Sequence, residues 1–188
     1  MRIVAGKYRG RPLSAPEGTT VRPTSDRTRE ALFGILEGGR LSGGGSPLPG
    51  ALVLDAFAGT GALGLEALSR GAEDVVFIER FPPALNALRA NIAILEAAGS
   101  CRVLDRDVLH PPPAPRPARL LLMDPPYQQG LAVPALQALQ AAGWIDRESL
   151  IALELMKAED FTPPAGFEVL DSRVYGKARL VFLSLTDG

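Results

Sequence analysis

From Ala51 onward the chain alternates short apolar runs with segments of helical periodicity, and this alternation restricts the possible folds more than any other feature. The runs are ALVLDAF, DVVFIER, CRVLDRD, ARLLLMD and SLIALELM. Between them lie a helix to about Arg70, a helix over residues 83 to 98, a Pro-rich loop at residues 111 to 117, and a helix near residues 131 to 142. Apolar strands joined by crossover helices pack as a parallel sheet with helices on both faces. Two further runs, FEVLDSRVY and ARLVFLSL, have too few residues between them for a crossover, so they are predicted to form an antiparallel hairpin. The expected fold is α/β, doubly wound and Rossmann-like, with ligands bound beyond the carboxyl ends of the strands where the winding reverses.

The first fifty residues differ in character. Arg2-Ile3-Val4-Ala5 and Arg11-Pro12-Leu13-Ser14 flank Gly6 and Gly10 and predict a small basic hairpin. Thr24-Ser25-Asp26 offers N-cap side chains, and Thr28, Ala31, Leu32, Ile35 and Leu36 recur at helical spacing until Gly38-Gly39. The stretch GGRLSGGGSPLPG at 38 to 50 has the Gly, Pro and Ser content of a connection. The expected division is therefore a hairpin-and-helix appendage at 1–40, a flexible connection at 41–50 and the main domain at 51–188.

Charge and composition exclude several classes. Net charge is only −1, yet residues 1 to 29 hold seven basic side chains against Glu17 and Asp26, so the remainder is acidic. One cysteine, Cys101, rules out an intramolecular disulfide, and with the single histidine, His110, it leaves no Cys/His metal cluster or Cys/His nucleophile. No apolar run reaches the eighteen or so residues of a membrane span, and the N-terminus lacks an apolar signal segment. The expectation is a cytoplasmic protein, a monomer without metal or membrane association, whose chemistry rests on carboxylates, backbone groups and a bound cofactor.

Two stretches carry that chemistry. The first strand ends Asp55-Ala56-Phe57-Ala58-Gly59-Thr60-Gly61-Ala62-Leu63-Gly64, a GxGxxG that opens a helix, and Glu79 ends the second strand where a carboxylate can accept ribose hydroxyls. This pattern fits NAD as well as S-adenosylmethionine. Asp55 tilts the choice, because a carboxylate before the loop repels a pyrophosphate but suits the cationic amino-acid end of S-adenosylmethionine. The expected cofactor contacts are Asp55, Phe57, Gly59, Thr60, Gly61, Glu79, Arg80 and Asp107, the last placed at the end of the third strand for the adenine amine.

The fourth strand delivers Asp124-Pro125-Pro126-Tyr127 to the same edge. Each prolyl ring fixes its own backbone and extends its predecessor, and neither has an N–H. The carbonyls and the Asp124 carboxylate thus form a stiff cluster of acceptors. An exocyclic base amine, a poor nucleophile until its protons are hydrogen-bonded, is the chemistry such a cluster fits, with Tyr127 stacking on the base. Catalytic roles are expected for Asp124, Pro125, Pro126 and Tyr127. The motif alone permits adenine or guanine, in DNA or RNA.

With Arg2-Ile3-Val4-Ala5-Gly6-Lys7-Tyr8-Arg9-Gly10-Arg11 and Val21-Arg22-Pro23-Thr24-Ser25-Asp26-Arg27-Thr28-Arg29-Glu30, these motifs resemble, over essentially the whole chain, the RsmD family of bacterial 16S rRNA guanine-N2 methyltransferases. The resemblance implies a seven-stranded methyltransferase fold and an S-adenosylmethionine cofactor. It also implies a guanine in 16S rRNA as target, presented on the small ribosomal subunit or its assembly intermediate. On this reading Arg2, Lys7, Tyr8, Arg9, Arg11, Arg22 and Arg27 contact RNA, through phosphates and one stacking ring. The rivals are a DNA adenine-N6 methyltransferase, for which little chain remains to read duplex bases, and a non-catalytic RNA-binding assembly factor, which needs neither the acceptors nor the glycine loop.

Overall fold

Every apolar run becomes a strand in the computed structural model, which describes residues 1–15 and 25–186. The strands are β1 (Leu52–Ala56), β2 (Asp74–Glu79), β3 (Cys101–Asp105), β4 (Leu120–Met123), β5 (Leu150–Met156), β6 (Phe167–Tyr175) and β7 (Ala178–Leu185). They form one sheet in the order β3-β2-β1-β4-β5-β7-β6. The first five run parallel, and the β6–β7 hairpin adds antiparallel strands, with β7 between β5 and β6. This is the expected doubly wound methyltransferase sheet closed by an antiparallel hairpin. The outermost strand, β6, carries a bulge between Val169 and Asp171 and leaves Val169, Leu170 and Val174 exposed.

Among the described residues four α-helices accompany the strands: α1 (Asp26–Glu37), α2 (Ala62–Ser69), α3 (Pro82–Ile94) and α4 (Ala132–Ala141). Ser25 is the N-cap of α1, its hydroxyl accepting from the Thr28 N–H. The helix predicted over 83 to 98 stops short at Ile94, because Glu96 turns left-handed at φ 53° and residues 98–100 form a separate 3₁₀ turn. Trp144 is buried beyond α4 and donates its ring N–H to the Pro112 carbonyl at 2.8 Å, which pins the Pro-rich loop.

The N-terminal hairpin forms, with the Ile3 N–H donating to the Arg11 carbonyl at 3.0 Å and Gly10 to Ile3 at 2.9 Å. Alone it has almost no core. Its Ile3 and Leu13, with Leu32, Phe33 and Leu36 of α1 and Leu48 after it, pack into one apolar cluster with Leu65 and Leu68 of α2 and Phe77 of β2. Polar bonds add direction to that packing. Glu66, fully buried on α2, accepts from the backbone N–H groups of Val4 (2.8 Å) and Ala5 (3.0 Å) and pairs with Arg70 at 2.8 Å. Arg29, one of the seven N-terminal cations, is wholly enclosed, bonded to the Arg2 carbonyl and Asp26 and lying 3.5 Å from Glu66. It is a structural clamp and not part of an exposed basic face. Gly6 lies so close to the last residue of α2 that a Cβ there would stand 1.9 Å from the Ser69 carbonyl oxygen.

Removing a buried carboxylate strands the cations that face it, at a cost of about 3–5 kcal/mol. Glu66→Ala is therefore expected to lower the unfolding free energy by about that amount in a urea titration. A loss within the ~0.5 kcal/mol typical of surface substitutions would show that apolar packing alone seats the arm.

Candidate active site

The winding reverses between β1 and β4, which lie side by side with Ala56 paired to Met123. The loops leaving those two strands are the glycine loop and Asp124-Pro125-Pro126-Tyr127, so the topology alone brings the two predicted motifs together.

Phe57, half-buried, leaves β1 at φ 63°, a left-handed conformation that an aromatic residue adopts only when its surroundings enforce it. Enforcement comes from both sides: the Ala58 N–H donates to the Ile78 carbonyl at 3.0 Å and the Gly61 N–H to the Ala58 carbonyl at 2.8 Å. The glycines differ in what they permit. At Gly59 a Cβ would meet nothing within 4 Å, so the loop is open there to a ligand. At Gly64 it would meet Phe77 at 2.4 Å and Val75 at 2.8 Å, so the third glycine serves helix–strand packing. The Thr60 carbonyl accepts from the Asn91 side chain at 2.9 Å. Asn91 is completely buried on α3 and also exchanges bonds with the Ser14 backbone at 2.7 and 3.0 Å, tying the end of the arm to the glycine loop.

Asp55 is 1% exposed, and its carboxylate accepts from the Gly64 N–H at 2.8 Å, at the positive N-terminal end of α2. Burial pushes its pKa well above the usual carboxylate range; the Gly64 bond opposes the shift, and the nearby Asp124 and Glu79 charges reinforce it. Glu79 is half-buried at the end of β2. One of its oxygens accepts from Gly59 at 2.8 Å, the other from Arg80 and Phe81, both at 2.7 Å, so three backbone amides fix its orientation. Asp107 stands two residues past the end of β3, not within it, because the edge strand stops at Asp105. It starts a turn that includes the exposed His110 and pairs with Arg80 at 2.6 Å, a bridge that joins the loops after β2 and β3.

Beyond β4, Asp124 is half-buried, Pro125 buried and Pro126 exposed. The Tyr127 ring is 40% exposed, but its hydroxyl donates to Glu154 on β5 at 2.9 Å. Burial, followed by the Asp124 and Glu154 carboxylates, raises the Tyr127 phenol far above its ordinary range, so it stays a neutral donor. Gln128 then takes φ 60°, its N–H directed at the Glu159 carboxylate 3.4 Å away. Glu154, Asn91 and Phe81, an exposed ring beside Glu79, are absent from the sequence-derived site. Glu154 and Asn91 had a legible signal, each a polar residue inside an otherwise apolar face.

The basic tip of the hairpin lies elsewhere. Lys7 and Tyr8 bond through their backbones to Ser69, the last residue of α2, whereas the glycine loop sits at the helix's first turn. Eight helical residues span about 12 Å, and that length separates the hairpin tip from the glycine loop. Arg2, Arg9, Arg11 and Arg27 are exposed, and Arg22 is outside the described residues. Among the described residues no group of three His, Cys, Asp or Glu is placed to hold a metal, and no helix is long and apolar enough to cross a membrane. Burial raises the Cys101 thiol to about 12.

A β3-β2-β1-β4-β5-β7-β6 sheet with a glycine loop beside an Asp-Pro-Pro-Tyr exit defines an α/β methyltransferase. The family model described as Conserved hypothetical protein 95 matches residues 1–184, and the chain belongs to that family, the RsmD family. A relative from Escherichia coli strain K12, named Ribosomal RNA small subunit methyltransferase D, is 36% identical over 180 residues, covering 94% of this chain and 86% of its own. Its namesake from Haemophilus influenzae is 32% identical over 180 residues, covering 94% and 89%. The solved structure of Escherichia coli yhhF has a TM-score of 0.79 at 33% identity and covers 98% of this chain and 97% of that one.

The shifted Asp55 carboxyl yields a test with a definite sign. A raised folded pKa means that folding favours the protonated form. The associated stability is complete below the unfolded value of about 3.9 and declines as pH rises through the folded value. Asn at this position cannot ionise, yet its side-chain oxygen still accepts from Gly64. Asp55→Asn is therefore expected to gain stability over wild type, by an increment that grows as pH rises above about 4, in paired denaturation curves. An increment that does not change with pH would overturn the assignment.

Proposed function

We propose that this chain transfers a methyl group from S-adenosylmethionine to the exocyclic N2 of a guanine in 16S rRNA, on the small ribosomal subunit or its assembly intermediate. The observation that carries the proposal is the adjacency of the glycine loop to Asp124-Pro125-Pro126-Tyr127 across the β1–β4 reversal. The names of the relatives, which specify small-subunit ribosomal RNA, support the substrate class.

The residues suit the cofactor. Open space over Gly59 admits a ligand close to the backbone, and the Glu79 oxygen that accepts only from Gly59 retains a lone pair for a ribose hydroxyl. The Arg80–Asp107 bridge and the exposed Phe81 ring border the adenine side. When bound, S-adenosylmethionine supplies an electrophilic methyl group.

On the target side, the Asp124 carboxylate and the Pro125 carbonyl accept the two N2 protons, which localises the nitrogen lone pair and steadies the positive charge that develops there. Tyr127 stacks on the extruded base. The arm acts at a distance: Lys7, Arg9 and Arg11 grip phosphates of the particle while the base enters the pocket.

The test is transfer of labelled methyl to purified small subunits lacking the modification, followed by nucleoside analysis. N2-methylguanosine is expected, with Asp124→Ala inactive at nearly unchanged cofactor affinity. N6-methyladenosine would refute the guanine assignment, and loss of cofactor binding in Asp124→Ala would assign the carboxylate to the cofactor instead. Neutralising Arg9 and Arg11 together is expected to weaken binding to the particle and reduce the slope of log affinity against log salt by about 2, nearly one per lost phosphate contact. An unchanged slope would make those arginines bystanders.

A further inference from the structure

Glu154 is a carboxylate at a position where the fold calls for an apolar residue. It lies in LIALELM of β5, flanked by Leu153 and Leu155, between β4 and β7, with a residue exposure of 4%. An ionisable group there costs desolvation that packing alone would avoid, and such departures from pattern concentrate at functional sites. Its position in the ladder explains the partner it keeps. Leu153 pairs with Met123, the last residue of β4, so Asp124 leaves the sheet level with Glu154, which continues β5 and still pairs with Leu180 of β7.

We propose that Glu154 is a positioning residue, which fixes the plane of the Tyr127 ring through the phenol bond so that the ring forms a preset wall for the target base. This rests on the methyl-transfer reading given above. Three observations converge on it. The phenol oxygen lies 2.9 Å from the Glu154 Oε1. The ring is otherwise 40% exposed. The next residue, Gln128, turns left-handed, and its N–H faces the carboxylate of Glu159, three residues past the end of β5. The stacking ring is thus held from β5. A ring ordered before the base arrives spends less rotational freedom on stacking, which places the base amine against the methyl donor more often.

Wild type, Glu154→Gln, Glu154→Leu, Tyr127→Phe and the Glu154→Leu/Tyr127→Phe double variant would be compared in three measurements. These are kcat/KM for unmodified small subunits, S-adenosylhomocysteine affinity, and ring-labelled tyrosine spectra of the free proteins, in which only three tyrosines contribute. Glu154→Leu and Tyr127→Phe should each lower kcat/KM about tenfold at unchanged cofactor affinity, and the double variant should be no worse than the poorer single, as residues acting as one unit behave. Glu154→Gln, whose amide oxygen still accepts the phenol proton, should stay within about twofold of wild type. Tyr127 ring signals should be restrained in wild type and Glu154→Gln and averaged in Glu154→Leu. Additive losses, or unaltered ring signals in Glu154→Leu, would refute the tether. If Glu154→Leu fails to fold, Tyr127→Phe decides, since it alters the exposed partner; wild-type turnover in that variant refutes the proposal. If wild type transfers no methyl to the particle, the functional reading fails and the spectra alone decide the tether.

Discussion

One bond sets the geometry on which the rest depends: the Asp55 carboxylate, buried at the end of β1, accepts the Gly64 N–H in the first turn of α2. It fixes the angle at which α2 leaves the sheet, and with it the path of the intervening glycine loop. Two residues further along the same helix, Glu66 gathers Val4, Ala5, Arg29 and Arg70. The glycine loop and the seat of the N-terminal hairpin are therefore joined by one short helix, oriented by two carboxylates that water does not reach.

The sheet was legible because strand alternation and the GxGxxG offset are local properties. The short β6–β7 connection made their antiparallel pairing legible, but the insertion of β7 between β5 and β6 is a long-range outcome that no local pattern signals. The adjacency of Gly59 and Asp124 was legible for the same reason, as both lie at carboxyl ends of neighbouring parallel strands. The uses of single charges were not. Arg29 counts as one more cation in a basic segment until Glu66, thirty-seven positions away, encloses it. Asp107 reads as a strand end, yet edge strand β3 terminates two residues earlier. Asn91 and Glu154 sit on apolar faces of α3 and β5, where sequence signals an exception without naming the partner. Partners such as Thr60, Ser14 and Tyr127 are long-range facts of packing.

The charges divide the molecule. Glu79, Asp124, Glu154 and Glu159 lie toward the carboxyl edge of the parallel strands, while Lys7 to Arg11 lie a helix length away at the hairpin tip. A polyanion approaching the pocket directly meets repulsion, and one approaching by the hairpin meets attraction. Such a division favours a substrate large enough to touch both ends at once.

The bulged outer strand has a consequence of a different kind. An open sheet edge is a template for other chains, and β6 adds three exposed apolar side chains to that hazard. The irregularity between Val169 and Asp171 breaks the hydrogen-bond ladder midway along the strand, and Glu168, Asp171 and Arg173 are interspersed along it. A foreign strand finds no uninterrupted register to zip along. The hairpin that completes the methyltransferase sheet thus also supplies its protection against aggregation.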